Sequence, residues 1–426
     1  MRRVPPSRVA REQIQQLLTT GSPEGSNILS QLALLGVQYL GQLGMEHEQA
    51  DLLGRDHYQR SEGEPVGYRN GYEPATVKTA EGPVSFRIPQ VRGSEEPFRP
   101  KILDFILGNS EVLEHLVVEM YARGLSTRDV EDCFRDEAGN PMISRSAVSE
   151  ITDQLWEDYQ QFCTRDLSGI ELQYLFLDAV YESLRRYGAK EGVLAAWGTS
   201  ADGRKQLLHL AVGNKESEAC WTEFLRNMVG RGLRVPISIT ADGAPGLINA
   251  IDQVFPRSLR IRCWYHKLGN INSKLPEEAK PEVLAHIRAV RDAPTYEAGQ
   301  QAAAGVLERF GELYPSATRC FADDLEACLN HLQVPVRHRI HVRTTNLLER
   351  SFVEERRRTK VIPRLLDERS AMKLVFATLI RCSERWQRIS VNELERQQLR
   401  LLRRELGIDP PPSEGDHRPR AGRNAA

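Results

Sequence analysis

Apolar positions change their period several times along the chain, and each change marks an expected element. Ile14, Leu17 and Leu18, then Ile28, Leu32 and Leu35, recur at three- and four-residue steps, which predicts helices up to about Asp56. The polar stretch Asp56–Pro65 reads as a linker. Between Ala75 and Val91 the period drops to two: Val77 and Thr79, then Val84, Phe86 and Ile88, flank Glu81-Gly82, the pattern of a β-hairpin with a glycine turn. Helical spacing returns at Glu111 with Leu113, Leu116, Val117 and Met120. It runs to Gly124-Leu125-Ser126, a helix end followed by a cap signal. Thr127–Phe134 and Ser144–Ile151 follow as short helical segments. A helix, a glycine turn, a helix and a Ser-capped helix with Arg145 near its start match a helix-turn-helix, and equally a plain small helical bundle.

The middle of the chain predicts a sheet. Leu172–Tyr181 is an apolar run interrupted by one acid, Asp178. Val193–Thr199 and Gln206–Val212 are strand-like and joined across Asp202-Gly203, a turn dipeptide. Glu216–Gly230 is an amphipathic helix, Pro236–Thr240 a strand ending at Asp242-Gly243, Leu247–Val254 a helix, and Leu259–Trp264 a fifth strand. A three-strand meander followed by alternating helices and strands is a mixed α/β order, the kind an RNase H-like domain shows. His266–Val334 then keeps helical periodicity without a good strand, and a further helix begins near Thr345. Asn392–Glu405 is a helix of alternating charge. Pro410-Pro411-Pro412 and the Gly/Arg/Ala-rich tail beyond it are too polar to bury a core and predict disorder.

A length of 426 residues suggests two to three domains. The most apolar stretch, Ile28–Leu43, is broken by Gln31, Gly36, Gln38 and Gln42, so no membrane span is expected and a cytoplasmic location is the default. Seven scattered cysteines without a CxxC pair argue against a disulfide framework and a structural zinc cluster. The net charge of -1 does not point to nucleic acid, but its distribution does: Arg337–Arg364 holds nine Lys/Arg against three Glu, an excess of six.

The acids carry the candidate chemistry. Asp178 lies inside an apolar strand, where a bare carboxylate is costly. Asp242 ends a second strand, the position where sites collect in open α/β sheets. Two such carboxylates can bridge divalent cations for in-line phosphoryl transfer. Glu349, on the helix opened by Thr344-Thr345-Asn346, is the best third ligand; on its own it would read as a solvated helix residue. Arg356 lies two turns further on the same face, suited to a DNA phosphate. Asp202 fits a hairpin turn and Asp252 a helix surface, so neither displaces the trio.

Several motifs then form one series: Tyr68–Tyr72 (YRNGY) with the hairpin after it, Met120–Asp129 (MYARGLSTRD), Leu177–Tyr181 (LDAVY), Thr240–Gly243 (TADG), Cys263–His266 (CWYH), and Thr344–Arg350 (TTNLLER) with Arg356–Lys360 (RRRTK). In this order they resemble the Mutator-type transposases of bacterial insertion sequences over most of the chain. The resemblance implies an α/β protein: an RNase H-like mixed-sheet catalytic domain with an all-helical insertion, plus an N-terminal α/β region with the helix-turn-helix candidate. The expected divisions are 1–60 helical, 61–108 hairpin, 109–160 DNA-binding, 168–265 and 341–390 catalytic, 266–340 insertion, and 391–426 C-terminal helix and tail. Asp178, Asp242 and Glu349 would be catalytic and hold two Mg²⁺ (or Mn²⁺) ions. Arg356, Arg357, Arg358, Lys360, Arg350 and Arg145 would contact DNA. Cys263 and His266 belong to the family pattern as supporting residues; by spacing alone they are a packed strand-end pair, and two donors do not make a zinc site. Where many members have Ser-Leu-Asn after the Glu, this chain has Arg350-Ser351-Phe352. The implied activity is cleavage at transposon ends and 3′-hydroxyl strand transfer. The implied partners are the terminal inverted repeats, target DNA and a second copy of the chain, and the implied location is the cytoplasm, at the nucleoid when DNA-bound. A nuclease or resolvase that cuts without joining, and a non-catalytic DNA-binding regulator, are the competing classes.

Overall fold

A computed structural model of the chain describes residues 4–21, 27–59, 65–94, 97–106, 108–135, 139–183, 190–213, 217–359, 368–386 and 388–409. It divides into two compact units, Met1–Gln154 and Leu155–Ala426.

In the first unit α1 (Pro6–Thr20) opens on a proline and α2 (Ile28–Leu53) on Asn27, whose side chain accepts from the Leu29 N–H. β1 (Tyr68–Thr79) and β2 (Gly82–Arg92) form the antiparallel hairpin the alternation predicts. Val77, Val84 and Phe86 pack with Met45 and Leu103. Gln42 clamps α2 to the hairpin by bonding both the N–H and the C=O of Arg87. α3 (Leu103–Ile106), α4 (Glu111–Ala122) and α5 (Thr127–Cys133) follow, α5 opened by a reciprocal Ser126–Asp129 capping box. α6 (Arg145–Thr164) does not stop at Ile151. Thr152, Asp153 and Gln154 interrupt the apolar pattern, and Leu155, Trp156, Tyr159 and Phe162 resume it at helical spacing.

In the second unit β3 (Leu172–Ser183), β4 (Lys190–Ser200) and β5 (Lys205–Gly213) form an antiparallel meander. After α7 (Glu218–Gly230) come β6 (Ser238–Ala241), α8 (Pro245–Val254) and β7 (Leu259–Arg262). The sheet order is β5-β4-β3-β6-β7, with β6 parallel to β3 and β7 parallel to β6. Both faces are covered, which explains why these strands read as continuous apolar runs. Leu175, Leu177 and Ile239 face Trp221, Phe224 and Ile251 of α7 and α8. Tyr174, Phe176 and Trp197 face the opposite layer.

β7 ends two residues earlier than the spacing predicts, because Cys263 already caps the next helix. From there α9 (Trp264–Asn272), α10 (Lys280–Arg291), α11 (Tyr296–Phe310), α12 (Pro315–Ala322), α13 (Leu325–Leu329) and α14 (Val336–Val342) build a helical body. Trp264, Ile287, Phe310 and Phe321 form its separate core. The chain returns to the sheet as α15 (Asn346–Thr359), α16 (Glu368–Arg385) and α17 (Glu393–Glu405). α16 has no counterpart in the sequence reading: Ala371, Met372, Leu374, Val375, Phe376, Ala377 and Leu379 are all buried, so no polar stripe announces it. α17 packs Leu399 and Leu402 into the sheet core, and Arg403 donates to the carbonyls of Leu172 and Val235. The predicted disordered tail from Pro410 lies outside the described residues.

Candidate active site

Two parallel strands set the first two acids. β3 and β6 pair Tyr174 with Ser238 and Phe176 with Thr240, and continuing that register brings Asp178 level with Asp242. Alternation puts Asp178 on the face of β3 that carries Tyr174 and Phe176. Asp242 lies just past the end of β6 and accepts the Ala244 N–H at 3.0 Å, which turns the chain into the proline-led α8. A Cβ at Gly243 would sit 0.8 Å from a terminal nitrogen of Arg262, whose guanidinium would have to swing away. The Arg262 guanidinium, from the end of β7, therefore lies against the Asp242 turn, and its Nε is buried without a hydrogen-bond partner. Nothing in the spacing singles Arg262 out; its role follows from the strand order.

α15 supplies the third acid, and its first turn is tied to the end of β7. The Thr345 N–H and hydroxyl both lie 3.4 Å from Cys263 Sγ, and the same hydroxyl is 3.4 Å from Glu349 Oε1. His266, in the first turn of α9, brings Nε2 to 3.8 Å from Glu349 Oε1. The sequence pair Cys263/His266 thus packs against the turn of α15 that carries Glu349. The Cys263 contact raises His266 to about 9 against its partial burial, which lowers it, and Asp178 and Glu349 push the same way as Cys263. Burial alone would raise the Cys263 thiol, but the hydrogen bonds and charge of His266, with help from Thr345, leave it below its ordinary value.

Asp178 is pushed up to about 7, first by burial and then by the charges of Asp242 and Glu349; the Ala179 N–H and His266 oppose the shift. The one hydrogen bond to its carboxylate recorded among the described residues comes from Ala179 at 2.9 Å. A carboxylate held among two others with so little compensation is suited to a hard cation. Among the described residues, the donor group with all atoms within 4.8 Å of one another is Cys263, His266 and Glu349, not the three acids. One ion bound by all three acids is therefore not prepared. A pair of ions about 3.5–4 Å apart would ask less of the acids, since no single ion then needs all three.

The basic residues divide. Arg350 and Arg356 are exposed on α15. Arg357 and Arg358 both reach Glu354. Arg145, in the first unit, is ion-paired with Glu131 at 2.9 Å. Lys360 lies outside the described residues. Within the wider basic run, Arg339 donates to the carbonyls of Leu332, Val334 and Pro294, and Arg343 pairs with Asp292. Those two brace the helical body. As the turn reading expects, Asp202 accepts from Ser200 and the Arg204 N–H. Asp252 lies 3.7 Å from Arg260. No helix among the described residues is long and apolar enough to cross a membrane.

Compared with known proteins, residues 28–389 match the family described as "Transposase, Mutator family". A transposase for insertion sequence element IS6120 from Mycolicibacterium smegmatis is 32% identical over 326 residues, 74% of this chain and 100% of its own length. One for IS406 from Burkholderia multivorans is 34% identical over 80% of this chain and 87% of its own. One for IS256 in transposon Tn4001 from Staphylococcus aureus is 26% identical, again over 80% of this chain and 87% of its own length.

Proposed function

The chain belongs to the Mutator family of transposases, and from that premise we propose that it cuts DNA at transposon ends and joins the freed 3′-hydroxyl to a target strand, with Asp178, Asp242 and Glu349 as the catalytic acids of an RNase H-like domain. The observation that carries this reading is the parallel register of β3 and β6, which sets Asp178 beside Asp242 while Glu349 acts on the same carboxylate. The antiparallel meander continued by two parallel strands supports the RNase H-like assignment.

The three carboxylates would hold two Mg²⁺ (or Mn²⁺) ions, which when bound supply charge neutralisation and a more acidic water. In the cutting step a water oxygen attacks phosphorus and the bond to the 3′ oxygen breaks. In the joining step that 3′ oxygen attacks a target phosphodiester, one P–O bond replacing another. No covalent enzyme intermediate is involved, so the chain's own work is positioning and electrostatics. Asp178 feels the charge of both other acids. His266 and Thr345 hold Glu349 on its rotamer, and Arg262 offers a cation beside Asp242. Arg350 and Arg356 follow the DNA backbone from α15, joined by Arg357, Arg358 and Lys360. The helices 109–160, with Arg145, recognise the ends. Two ends must meet, so the working species is a homodimer.

The test uses the full chain, Mg²⁺ and DNA carrying the inverted repeats that flank its gene, with the cut strand mapped. A second arm offers a pre-cut 3′-hydroxyl end. Cutting without joining would mark a nuclease, and neither reaction a regulator. Asp178→Ala that still nicked and joined would remove the assignment.

A further inference from the structure

Beside the acids, on the same face of the sheet, lies a cavity of about 350 Å³ lined by Thr199, Lys205, His341, Asn346, Arg350 and Trp386 among others. This size falls at the small end of ligand sites, about 300–1,000 Å³. Phe176, two residues before Asp178 on β3, forms part of its wall, so the cavity begins about 6.6–6.8 Å along the strand from the acid. No lining residue is acidic. We propose that this cavity binds one nucleotide of the DNA strand next to the scissile phosphate, its phosphate between Lys205 and Arg350 and its base beside Trp386.

Three independent features point to a ligand. Lys205 and Arg350 face each other's charge with no ion pair recorded for either among the described residues; burial, then Arg350, lowers the Lys205 ammonium. His341 is lowered by burial and then by Lys205, so it is a neutral donor or acceptor there. Like charges held together without a counter-ion favour an anion. Thr199 is 2% exposed and its buried hydroxyl has no hydrogen-bond partner, a polar atom left for something the cavity receives. The Trp386 ring lines the wall with its centroid 4.5 Å from that of Trp197, a firm backing for stacking a base. Arg350 and Asn346 lie one turn apart on α15, so the helix that delivers Glu349 to the acids also lines the neighbouring cavity. The location beside a scissile phosphate rests on the proposed function; the nucleotide chemistry does not.

The experiment titrates the full chain, without divalent cation, against thymidine 3′,5′-bisphosphate, thymidine and inorganic phosphate by calorimetry. The bisphosphate binds measurably and more tightly than phosphate, and thymidine does not bind. Lys205→Gln and Arg350→Gln each weaken the bisphosphate roughly tenfold. The isosteric Thr199→Val weakens it with unchanged thermal unfolding, and Trp386→Phe keeps binding better than Trp386→Leu. Absence of bisphosphate binding, unchanged affinity in both cation variants, or phosphate binding as tight as the bisphosphate would each overturn the proposal. Cutting of transposon-end DNA by the wild type, measured alongside, separates the readings. A failed titration with intact cutting removes the cavity assignment alone, and intact binding without cutting removes the catalytic one.

Discussion

Asp178 shows how one side chain joins stability to chemistry. Its carboxyl, held near 7 by burial and by its acidic neighbours, must release a proton before it can ligate a cation. The thermal shift produced by added Mg²⁺ should therefore be larger at pH 8 than at pH 6 and vanish in Asp178→Asn; an equal shift at both pH values would contradict it. His209 works with the opposite sign. Burial first, then Arg231 and Arg165, lower it to about 3. Between that value and its ordinary 6.5 the unfolded chain binds more protons, so stability is lost as pH falls through this window. Urea midpoints should drop from pH 7 to pH 4.5, and the drop should be shallower in His209→Gln. The two acids on neighbouring strands were legible in the sequence because Asp178 interrupts an apolar run and Asp242 closes one. Arg262 and Thr345 were not, since their partners lie across the sheet or across the helical body.

Among elements, short contacts decide what can change. Gly203, at φ +78°, turns the β4–β5 hairpin, and a Cβ there would lie 1.8 Å from the Ile389 carbonyl oxygen. The same glycine accepts the Ile389 N–H at 2.8 Å, tying the segment before α17 to the hairpin. Gly203→Ala should cost more than about 1 kcal/mol, read as a lowered denaturation midpoint, where Gly169→Ala, with open space around it, should be near neutral. α17 looked like a charged tail helix because its alternation hides a narrow apolar seam. Leu402→Ala should cost about 2–5 kcal/mol, whereas a detachable tail would lose nothing. The strands were readable from period two. α16 was not, because a helix buried on nearly every side carries no phase.

Across the second unit, charge has to be counted after folding. The excess of six cations in Arg337–Arg364 shrinks as a DNA surface once Arg339 and Arg343 are spent on carbonyls and Asp292. A count along the chain cannot see an acid fifty residues away. If Arg350 and Arg356 meet phosphates, Arg350→Gln and Arg356→Gln should each flatten the slope of log affinity against log salt by roughly 0.9. An unchanged slope would place the DNA track elsewhere.

The helical body from α9 to α14 leaves the sheet and returns to it at one point. The Trp264 N–H bonds the Arg343 carbonyl at 3.0 Å, and Cys263 meets Thr345. Some eighty residues are thus strung on a closed ring whose clasp adjoins the chemistry. Such a ring can grow, shrink or acquire new surfaces without moving Glu349, much as a pendant can be changed while its clasp stays shut. Tolerance of length changes should accordingly be high at its outer turns and absent at the clasp.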